Sequence, residues 1–227
     1  MDKQAGAQFA RSRGWLSTTS ETFQDAVIAR ADLIRLDAKQ SLYAAGDDSG
    51  GLFGLVKGRL DVHLTTLGND ATLAFIGQPG IWIGDIAAVT GQKRILTVVA
   101  CTECHILRLP RAELIRIVEQ TPAAWFHIAE MLAQNFARAI EMIEYLRCPD
   151  HTRRIAALLL SLTGSRSPEP IRISQVEMAE MTHIGRTNVQ SALVELAQRG
   201  LVRRAYASIE IVDVAALRSF AQTPDDD

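Results

Sequence analysis

The sequence is poor in cysteine and lacks long apolar runs, and each shortage excludes a class of protein. Cys101, Cys104 and Cys148 are the three cysteines among 227 residues, too few for the disulfide framework of a small secreted domain. No apolar run approaches the roughly 20 residues that cross a bilayer. The N-terminal segment also lacks the hydrophobic core of a signal peptide. We therefore expect a cytoplasmic, globular protein with no membrane partner.

The chain also carries little net charge, formally −2, so its overall composition does not indicate a nucleic-acid-binding protein. The charge is unevenly distributed. Residues 150–212 contain eight arginines against six acidic residues, whereas residues 1–149 contain 15 basic and 16 acidic residues. A weak positive excess predicts modest non-specific attraction to a polyanion. Binding would then depend on pairing of two chains and on base contacts as well as on phosphates.

Residues 173–202 have the pattern of two short amphipathic helices separated by a tight turn. Apolar residues recur at helical spacing on both segments: Val176, Met178, Met181, Val189, Ala192, Leu193 and Leu196. The second segment ends at Gly200, a typical helix stop, and two short β-branched strands follow it. Together these features predict a winged helix-turn-helix that binds double-stranded DNA. An ordinary helical hairpin is the alternative, because periodicity alone does not exclude it.

The candidate DNA-contacting side chains lie at the start of the second helix and on the wing. They are Arg186, Thr187, Asn188, Gln190, Ser191, Arg203 and Arg204. A recognition helix presents its base-reading side chains at its N-terminal end, where the first five of these residues stand. His183 occupies the turn, where such motifs usually carry glycine. Histidine tolerates the left-handed conformation better than most residues, so the turn is still allowed.

Upstream of this motif, short apolar runs alternate with glycine-rich turns over residues 41–110. The predicted turn glycines are Gly46, Gly50, Gly51, Gly58, Gly77 and Gly80. Strand signals at this spacing indicate an antiparallel β barrel or roll, which we interpret as a sensor or scaffold. A short helix is predicted before it over 21–32, and another follows Pro110 and continues through Val118.

A long helical pattern then runs from Pro122 to Leu146. One set of residues on it is spaced alternately by three and four: Trp125, Ile128, Leu132, Asn135, Ala139, Met142 and Leu146. This heptad spacing predicts a seam that pairs two copies of the chain, and a polar asparagine within such a seam commonly fixes the register. A second stripe, Phe136, Ile140 and Ile143, could pack onto the β domain of its own chain. A helix buried within one subunit is the alternative to pairing.

The helix is expected to break at Cys148, because Pro149 disfavours helical geometry there, and Asp150 can cap the next helix. We therefore predict an α+β chain with three parts. Residues 1–121 form the β-roll domain, 122–148 the pairing helix and 149–227 the winged helix-turn-helix. A loop at 163–170 leads into the first wing strand, and the last five residues form an acidic tail.

This order of elements resembles the Crp/Fnr family of transcription regulators over nearly all of residues 20–212. Three segments carry the resemblance: AAGDDSGGLFGLVKGRLDV, PGIWIGDIAAVTGQKRILTVVA and ISQVEMAEMTHIGRTNVQSALVELAQRGLV. The resemblance implies a cyclic-nucleotide-binding-like β roll, a homodimer on a palindromic operator, and RNA polymerase as a partner.

The same resemblance suggests roles for residues of the second helix. Arg186 matches the family's arginine that binds guanine, a pairing that suits a bidentate guanidinium. Thr187 and Ser191 stand where the cyclic-AMP receptor has a base-reading glutamate and a second base-reading arginine, so the operator half-site should differ. Asn188 takes a position that usually contacts phosphate, although its amide could also read adenine.

The resemblance places an effector pocket at Gly84, Asp85, Arg94, Ile95, Ala139 and Ile140. Members that bind cyclic nucleotides have a glutamate, an arginine with a hydroxyl neighbour, and polar helix residues at the corresponding positions. Here Ile95 donates no hydrogen bond, and each lost charge-assisted bond costs about 1.5–3 kcal/mol, so cyclic AMP is disfavoured. Three alternatives stay open: a different anion, an apolar effector, or inherited architecture consisting of a turn glycine, a capping carboxylate and a surface ion pair.

Other cofactors and catalysis receive little support from the sequence. An iron–sulfur cluster of the Fnr type needs cysteines near the N-terminus, and none precedes Cys101. Cys101 and Cys104 resemble half a zinc site, but their strand pattern turns them to opposite faces, and no second ligand pair accompanies them. His63 and His105 are isolated as haem ligands. We expect no metal and no enzyme activity; a constitutive DNA-binding dimer and, more remotely, a cupin-like enzyme are the alternative functions.

Overall fold

The computed structural model describes residues 1–65, 71–163, 170–205 and 208–222. Within these ranges no helix is long and apolar enough to cross a membrane. The predicted loop at 163–170 lies outside the described residues except for its two ends, and the predicted acidic tail lies outside them entirely. The chain divides into two compact units, Met1–Asn135 and Phe136–Asp227.

The first unit contains the predicted antiparallel β roll, built from two four-stranded sheets. The strand orders are β1-β8-β3-β6 and β2-β7-β4-β5. The bounds are β1 Asp32–Leu36, β2 Ser41–Tyr43, β3 Gly51–Lys57, β4 Leu60–Thr65, β5 Ala71–Gly77, β6 Trp82–Ile83, β7 Leu96–Ala100 and β8 Cys104–Pro110. Every described ladder in the two sheets is antiparallel, so the α+β fold expected from the sequence is confirmed.

Buried side chains of both sheets join in one core, with Leu55 and Ile106 from the first sheet and Val62 and Val98 from the second. Strand β3 is buried at six of its seven positions, so both of its faces are covered. Its second face contributes Leu52 to another core, which the helices of this unit complete. A strand covered on both faces has a continuous apolar run, as the sequence of β3 does.

Five helices belong to or begin in the first unit: α1 Lys3–Ser12, α2 Glu21–Arg30, α3 Asp85–Thr90, α4 Arg111–Gln120 and α5 Ala124–Arg147. The sequence predicted α2, α4 and α5 but not α1 or α3. A 3₁₀ turn, Trp15–Thr18, follows α1 and carries a buried indole whose Nε1 donates to the carbonyl oxygen of His127 at 2.8 Å. This bond ties the N-terminal segment to α5.

The Cys101 and Cys104 pair does not lie within one strand, as the sequence had suggested. Cys101 lies in the bend that follows β7 and is exposed, whereas Cys104 begins β8 and is buried. The Sγ atom of Cys104 lies 3.3 Å from the carbonyl oxygens of Arg59 and Thr102. Burial raises the pKa of the Cys104 thiol above its ordinary value, which disfavours the thiolate that reacts or binds metal.

The second unit contains α6 His151–Leu162, α7 Gln175–Thr182, α8 Arg186–Gln198 and α9 Val214–Gln222, with strands β9 Val202–Ala205 and β10 Ser208–Ile211. Asp150 caps α6 as predicted, because its Oδ1 accepts the backbone N–H of Arg153 at 2.7 Å. The predicted first wing strand is reduced to a single antiparallel bridge between Ile171 and Ile209. Helix α6 packs against both α8 and α9.

Three residues of the predicted pairing seam on α5 make contacts within their own subunit. Ile128 is fully buried, and Leu132 packs against the helical core of its own unit. Asn135 donates its amide to Oδ2 of Asp85 at 2.9 Å and to the carbonyl oxygen of Trp82 at 3.3 Å. These contacts turn the three side chains toward their own domain, although Leu132 and Asn135 are only half-buried and their pairing role stays a prediction.

The stripe that the sequence analysis assigned to its own domain faces outward instead. Phe136 is 68% exposed, Ile143 is 53% exposed and Ile140 is also exposed. Of the remaining predicted seam residues, Trp125 and Ala139 are exposed, and Met142 and Leu146 are half-buried. Most of the apolar residues exposed on α5 are therefore residues outside the predicted seam.

Candidate functional site

The turn between α7 and α8 has the geometry of a helix-turn-helix. Ser174 and Glu177 form a capping box at the start of α7: the N–H of Glu177 donates to Ser174 Oγ at 3.2 Å, and the N–H of Ser174 donates to Glu177 Oε2 at 2.6 Å. The helix ends at His183, whose φ of 53° and ψ of 37° are left-handed. The histidine therefore adopts the conformation that usually selects glycine, as the sequence required.

The inward face of α8 is fixed by a dense apolar contact. Val189, Ala192, Leu193 and Leu196 are all buried, at the positions predicted from periodicity. On the preceding helix, α7, Thr182 is also buried, and its hydroxyl donates a hydrogen bond to the carbonyl oxygen of Met178, one turn earlier. Because this side of α8 is held in the core, the opposite side must face solvent.

The outward face contains all five side chains predicted on this helix. Arg186, Thr187, Asn188, Gln190 and Ser191 are exposed. Three of them, Thr187, Gln190 and Ser191, line a shallow groove along the helix. An α helix with exposed polar side chains at its N-terminal end can enter the major groove of DNA, where base edges offer donors and acceptors.

The groove is also lined by three residues that were not predicted from the sequence: Val194, Glu195 and Gln198. Glu195 is engaged on both carboxylate oxygens, since the Thr152 hydroxyl donates to one at 2.8 Å and Arg199 donates to the other at 2.8 Å. The signal for Val194 was present in the sequence, because it follows Thr187 by two helical turns and so lies on the same face.

The wing places its two predicted arginines on strand β9, which pairs with β10. Both are exposed, and because successive strand residues point to opposite faces, Arg203 and Arg204 present their charges on opposite sides. Arg203 forms an ion pair with Glu210 across the ladder, with Nη1 and Oε2 2.9 Å apart. An exposed pair of this kind is worth at most about 1 kcal/mol, so Arg203 can exchange its partner for a phosphate.

In the β roll, Arg94 is almost completely buried, with 4% of its surface exposed. Its Nη1 donates to the carbonyl oxygen of Gly84 at 2.9 Å and its Nη2 to that of Gly51 at 2.8 Å. The guanidinium lies over the ring of Tyr43, 4.3 Å from the centroid, and near that of Phe53. Burial lowers the pKa of Arg94 below its ordinary value, and the arginine is not the surface ion pair that one alternative had assumed.

The surroundings of Arg94 are shaped to hold the arginine itself. Its Nε is buried without a hydrogen-bond partner in the part of the chain that the structure describes. Gly84 is left-handed, with φ 86°, and a Cβ there would overlap Nη1, so glycine is needed for the contact. The carboxylate of Asp85 accepts the Asn135 amide, whereas one of the alternatives had assigned it to capping α3. The two carbonyl bonds use two of the five N–H groups of the guanidinium, so the arrangement holds the arginine in place and still leaves donors for an anion.

The other predicted pocket residues offer no polar groups beyond their backbone. Ile95 is exposed beside Arg94 in sequence, and Ala139 and Ile140 are exposed on α5. None of these side chains can donate a hydrogen bond to a phosphate or a base. No group of three histidine, cysteine, aspartate or glutamate residues suited to a metal ion occurs among the described residues.

Comparison with known proteins gives matches to both units. Residues 33–121 match the family model of the cyclic nucleotide-binding domain, and residues 153–220 match that of the Crp-like helix-turn-helix domain. The Cyclic AMP receptor protein of Thermus thermophilus is 25% identical over 181 residues, which cover 79% of this chain and 83% of that protein. Transcriptional regulator LdrP of the same organism is 28% identical over 191 residues, covering 81% and 93%.

A likeness of fold alone extends to more distant structures. FixK2 from Bradyrhizobium japonicum superposes with a TM-score of 0.73 at 14% sequence identity, covering 83% of this chain and 96% of that chain. The two-part organisation of a β roll followed by a helix-turn-helix is therefore shared with a solved structure despite extensive divergence in sequence.

Proposed function

Because the chain belongs to the Crp/Fnr family of transcription regulators, we propose that it acts as a sequence-specific homodimer on a palindromic DNA operator. One observation carries the proposal: the polar side chains at the N-terminal end of α8 are exposed above a buried apolar side, with exposed arginines on the adjoining wing. In this proposal residues 1–121 form the sensor domain, 122–148 the pairing segment and 149–227 the DNA-binding domain.

The proposed contacts follow from the chemistry of each exposed side chain. Arg186 donates two hydrogen bonds to a guanine, while Thr187, Gln190 and Ser191 offer shorter or more flexible polar contacts to base edges. Asn188 binds a phosphate or the edge of an adenine. The wing residues Arg203 and Arg204 bind phosphates without regard to sequence.

We propose that the outward stripe of α5 pairs the two subunits. Its members recur alternately three and four residues apart: Phe126, Ala129, Ala133, Phe136, Ile140 and Ile143, all exposed. This is the spacing of a coiled-coil seam, and its alanines allow two helices to approach closely. Exposed aromatic rings on a soluble monomer would be costly, whereas a second copy of the same helix would bury them. Four residues of the seam predicted from the sequence are exposed or half-buried and contribute at the edge of this interface: Trp125, Ala139, Met142 and Leu146.

The pairing is tested by placing a charge in this stripe. We expect Phe136→Glu to convert the dimer to a monomer, because two buried carboxylates would face each other across the seam. Sedimentation velocity measures the change directly. Gln134→Glu adds the same charge at an exposed position on another side of α5 and should leave the dimer intact; a dimeric Phe136→Glu protein would contradict the assignment.

We further propose that cyclic AMP is not the effector. Ile95 supplies no hydroxyl, and two of the five N–H groups of Arg94 are already donated to carbonyl oxygens, so a cyclic phosphate would meet fewer donors than in members with a hydroxyl neighbour. Isothermal titration with cyclic AMP and cyclic GMP tests this proposal, and submicromolar binding of either would contradict it. The second candidate function is a constitutive DNA-binding dimer, which the engagement of Arg94 with the protein favours; unchanged operator affinity across an effector screen would support it.

The remaining parts of the proposal rest on the family. The two relatives described above are a cyclic AMP receptor protein and a transcriptional regulator, and we propose RNA polymerase as a partner, the cytoplasm as the location and no catalytic activity. Selection of bound duplexes from a random DNA library is the decisive experiment, because it tests symmetry, half-site spacing and base preference together. We expect a two-fold symmetric site whose half-sites lie one helical turn apart. An asymmetric site or a single half-site would contradict binding by a homodimer.

A further inference from the structure

The outward face of α8 contains a single large apolar side chain, Val194, among the residues of that helix, all of which the structure describes. Val194 is 38% exposed and lines the same groove as Thr187, Gln190 and Ser191. It follows Thr187 by two turns and Gln190 and Ser191 by about one turn, so all four side chains lie on one side of the helix.

Val194 is not there to complete the core of its own unit. The buried side of α8 is formed by Val189, Ala192, Leu193 and Leu196, and Val194 points away from that set. A single exposed valine is tolerated on a protein surface, but in the middle of a polar face that lines a groove it offers one apolar contact to whatever occupies the groove. In the major groove, the base edges present one apolar group, the 5-methyl of thymine.

We propose that Val194 determines specificity by contacting the 5-methyl group of a thymine in each operator half-site. The inference rests on the proposed function, because it requires α8 to lie in the major groove. The neighbouring groove residues favour this occupant: Gln190 and Ser191 can hydrogen-bond to the adjacent base edges and exclude water around the methyl contact, as polar rims do elsewhere. A protein partner would need a wider apolar surface than this one residue offers.

The test uses the operator obtained by library selection and the full-length dimer. Each thymine of the half-site is replaced in turn, in both half-sites, by deoxyuridine, which lacks only the methyl group. For the unmodified protein we expect one such replacement to weaken binding about four-fold per half-site, the effect of burying one methyl group. Fluorescence anisotropy with labelled duplexes measures the affinities.

The protein variant completes the cycle. Val194→Ser should weaken binding to the thymine operator by a similar factor and should bind the deoxyuridine operator no more weakly than the thymine one. Val176→Ser is the matched control, because Val176 is an exposed valine on α7, outside the recognition groove; it should keep the full deoxyuridine penalty. Thermal unfolding of both variants checks that neither is misfolded.

The outcomes separate the two proposals. If no two-fold operator is selected, the proposed function fails. If the operator is bound but no thymine shows a penalty that Val194→Ser removes, or the half-site contains no thymine, the inference alone is overturned. Loss of the penalty in Val194→Ser, with its retention in Val176→Ser, supports the methyl contact.

Discussion

At position 94, a guanidinium lies in the interior of the β roll, where both terminal nitrogens donate to glycine carbonyls and Nε has no hydrogen-bond partner among the residues described. From the sequence alone, an arginine at this position suggests an anion-binding site. Two of its five N–H groups are instead donated to neutral oxygens, which bind a cation less strongly than an anion does. An anionic ligand that reached Arg94 would compete with these carbonyls only for two of the five N–H groups, and three would remain for it.

Tyr43 lies against Arg94, and its environment gives a pH prediction. Burial raises the pKa of Tyr43 to about 12 from the ordinary 10.0, although Arg94 opposes the shift. The folded state therefore favours the protonated phenol. The contribution of Tyr43 to the free energy of unfolding is therefore fully present below about pH 10 and is lost as the pH rises toward 12.

Phenolate absorbance during alkaline titration measures this shift. Tyr145, in the other unit, also has a pKa raised by burial to about 12, so two late transitions are expected. Tyr43→Phe should remove one of them and leave the other in place. Ionisation of Tyr43 near pH 10 in the folded protein would contradict the prediction.

The exposed guanidinium of Arg186 allows a direct test of base reading. Arg186→Ala should cost about 1–3 kcal/mol in binding to the selected operator, because a bidentate contact to one guanine is lost. The preference for that base should disappear with it. Arg203→Ala serves as the comparison, since a phosphate contact is lost equally on every sequence. Gel-shift titration against matched and substituted operators decides; full operator preference in Arg186→Ala would refute its role.

At the scale of elements, the helix-turn-helix could be predicted from the sequence because its determinants are local. The inward spacing of Val189 and Leu196, the stop at Gly200 and the left-handed turn at His183 all depend on residues within one short segment. The outward polar set follows once the inward set is known. Val194 was missed because an apolar residue is assigned to the core by default.

Helix α5 could be predicted as a helix, but its faces could not. Its two apolar stripes have the same spacing, and composition does not say which one its own domain buries. The choice depends on distant residues: the Asp85 carboxylate binds Asn135, and the core around Leu52 receives Ile128. The polar residue of the heptad pattern, Asn135, therefore makes its contact within its own subunit. Contacts of this kind, and the buried state of Arg94, require knowledge of the tertiary structure.

The contribution of the Asn135–Asp85 hydrogen bond to the free energy of unfolding can be measured with a double-mutant cycle. Asn135→Ala should destabilise the first unit by about 1–3 kcal/mol, because it leaves a buried carboxylate without its donor. With Asp85→Ala added, the total should be smaller than the sum of the two single effects. Trp15, Trp82 and Trp125 are the three tryptophans, so urea unfolding followed by tryptophan fluorescence reports on this unit alone.

An exposed neighbour provides the control for that cycle. Gln134→Ala removes an amide of nearly the same size from the same helix, and its effect should stay within about 0.5 kcal/mol. Additive effects of the Asn135 and Asp85 substitutions would show that the bond does not couple α5 to the β roll.

At the scale of the whole molecule, the net charge of −2 is compatible with DNA binding only if the positive charge is concentrated where it is used. We expect operator affinity to fall with salt, with a modest slope. Arg204→Ala should reduce that slope by about two per dimer, one phosphate contact being lost from each subunit. Arg116→Ala, on α4 of the first unit, is the control and should leave the slope unchanged. Equal slopes for Arg204→Ala and the unmodified protein would contradict the proposed phosphate contact.

The outward stripe of α5 also has a consequence for inheritance. If identical helices pair through it, a copy that has lost Arg186 but kept Phe136 still captures a normal copy. With both made in equal amounts, only about a quarter of the dimers would carry two working recognition helices. Such an allele would be dominant over the normal one, whereas a second change that also disrupts the stripe would make it recessive.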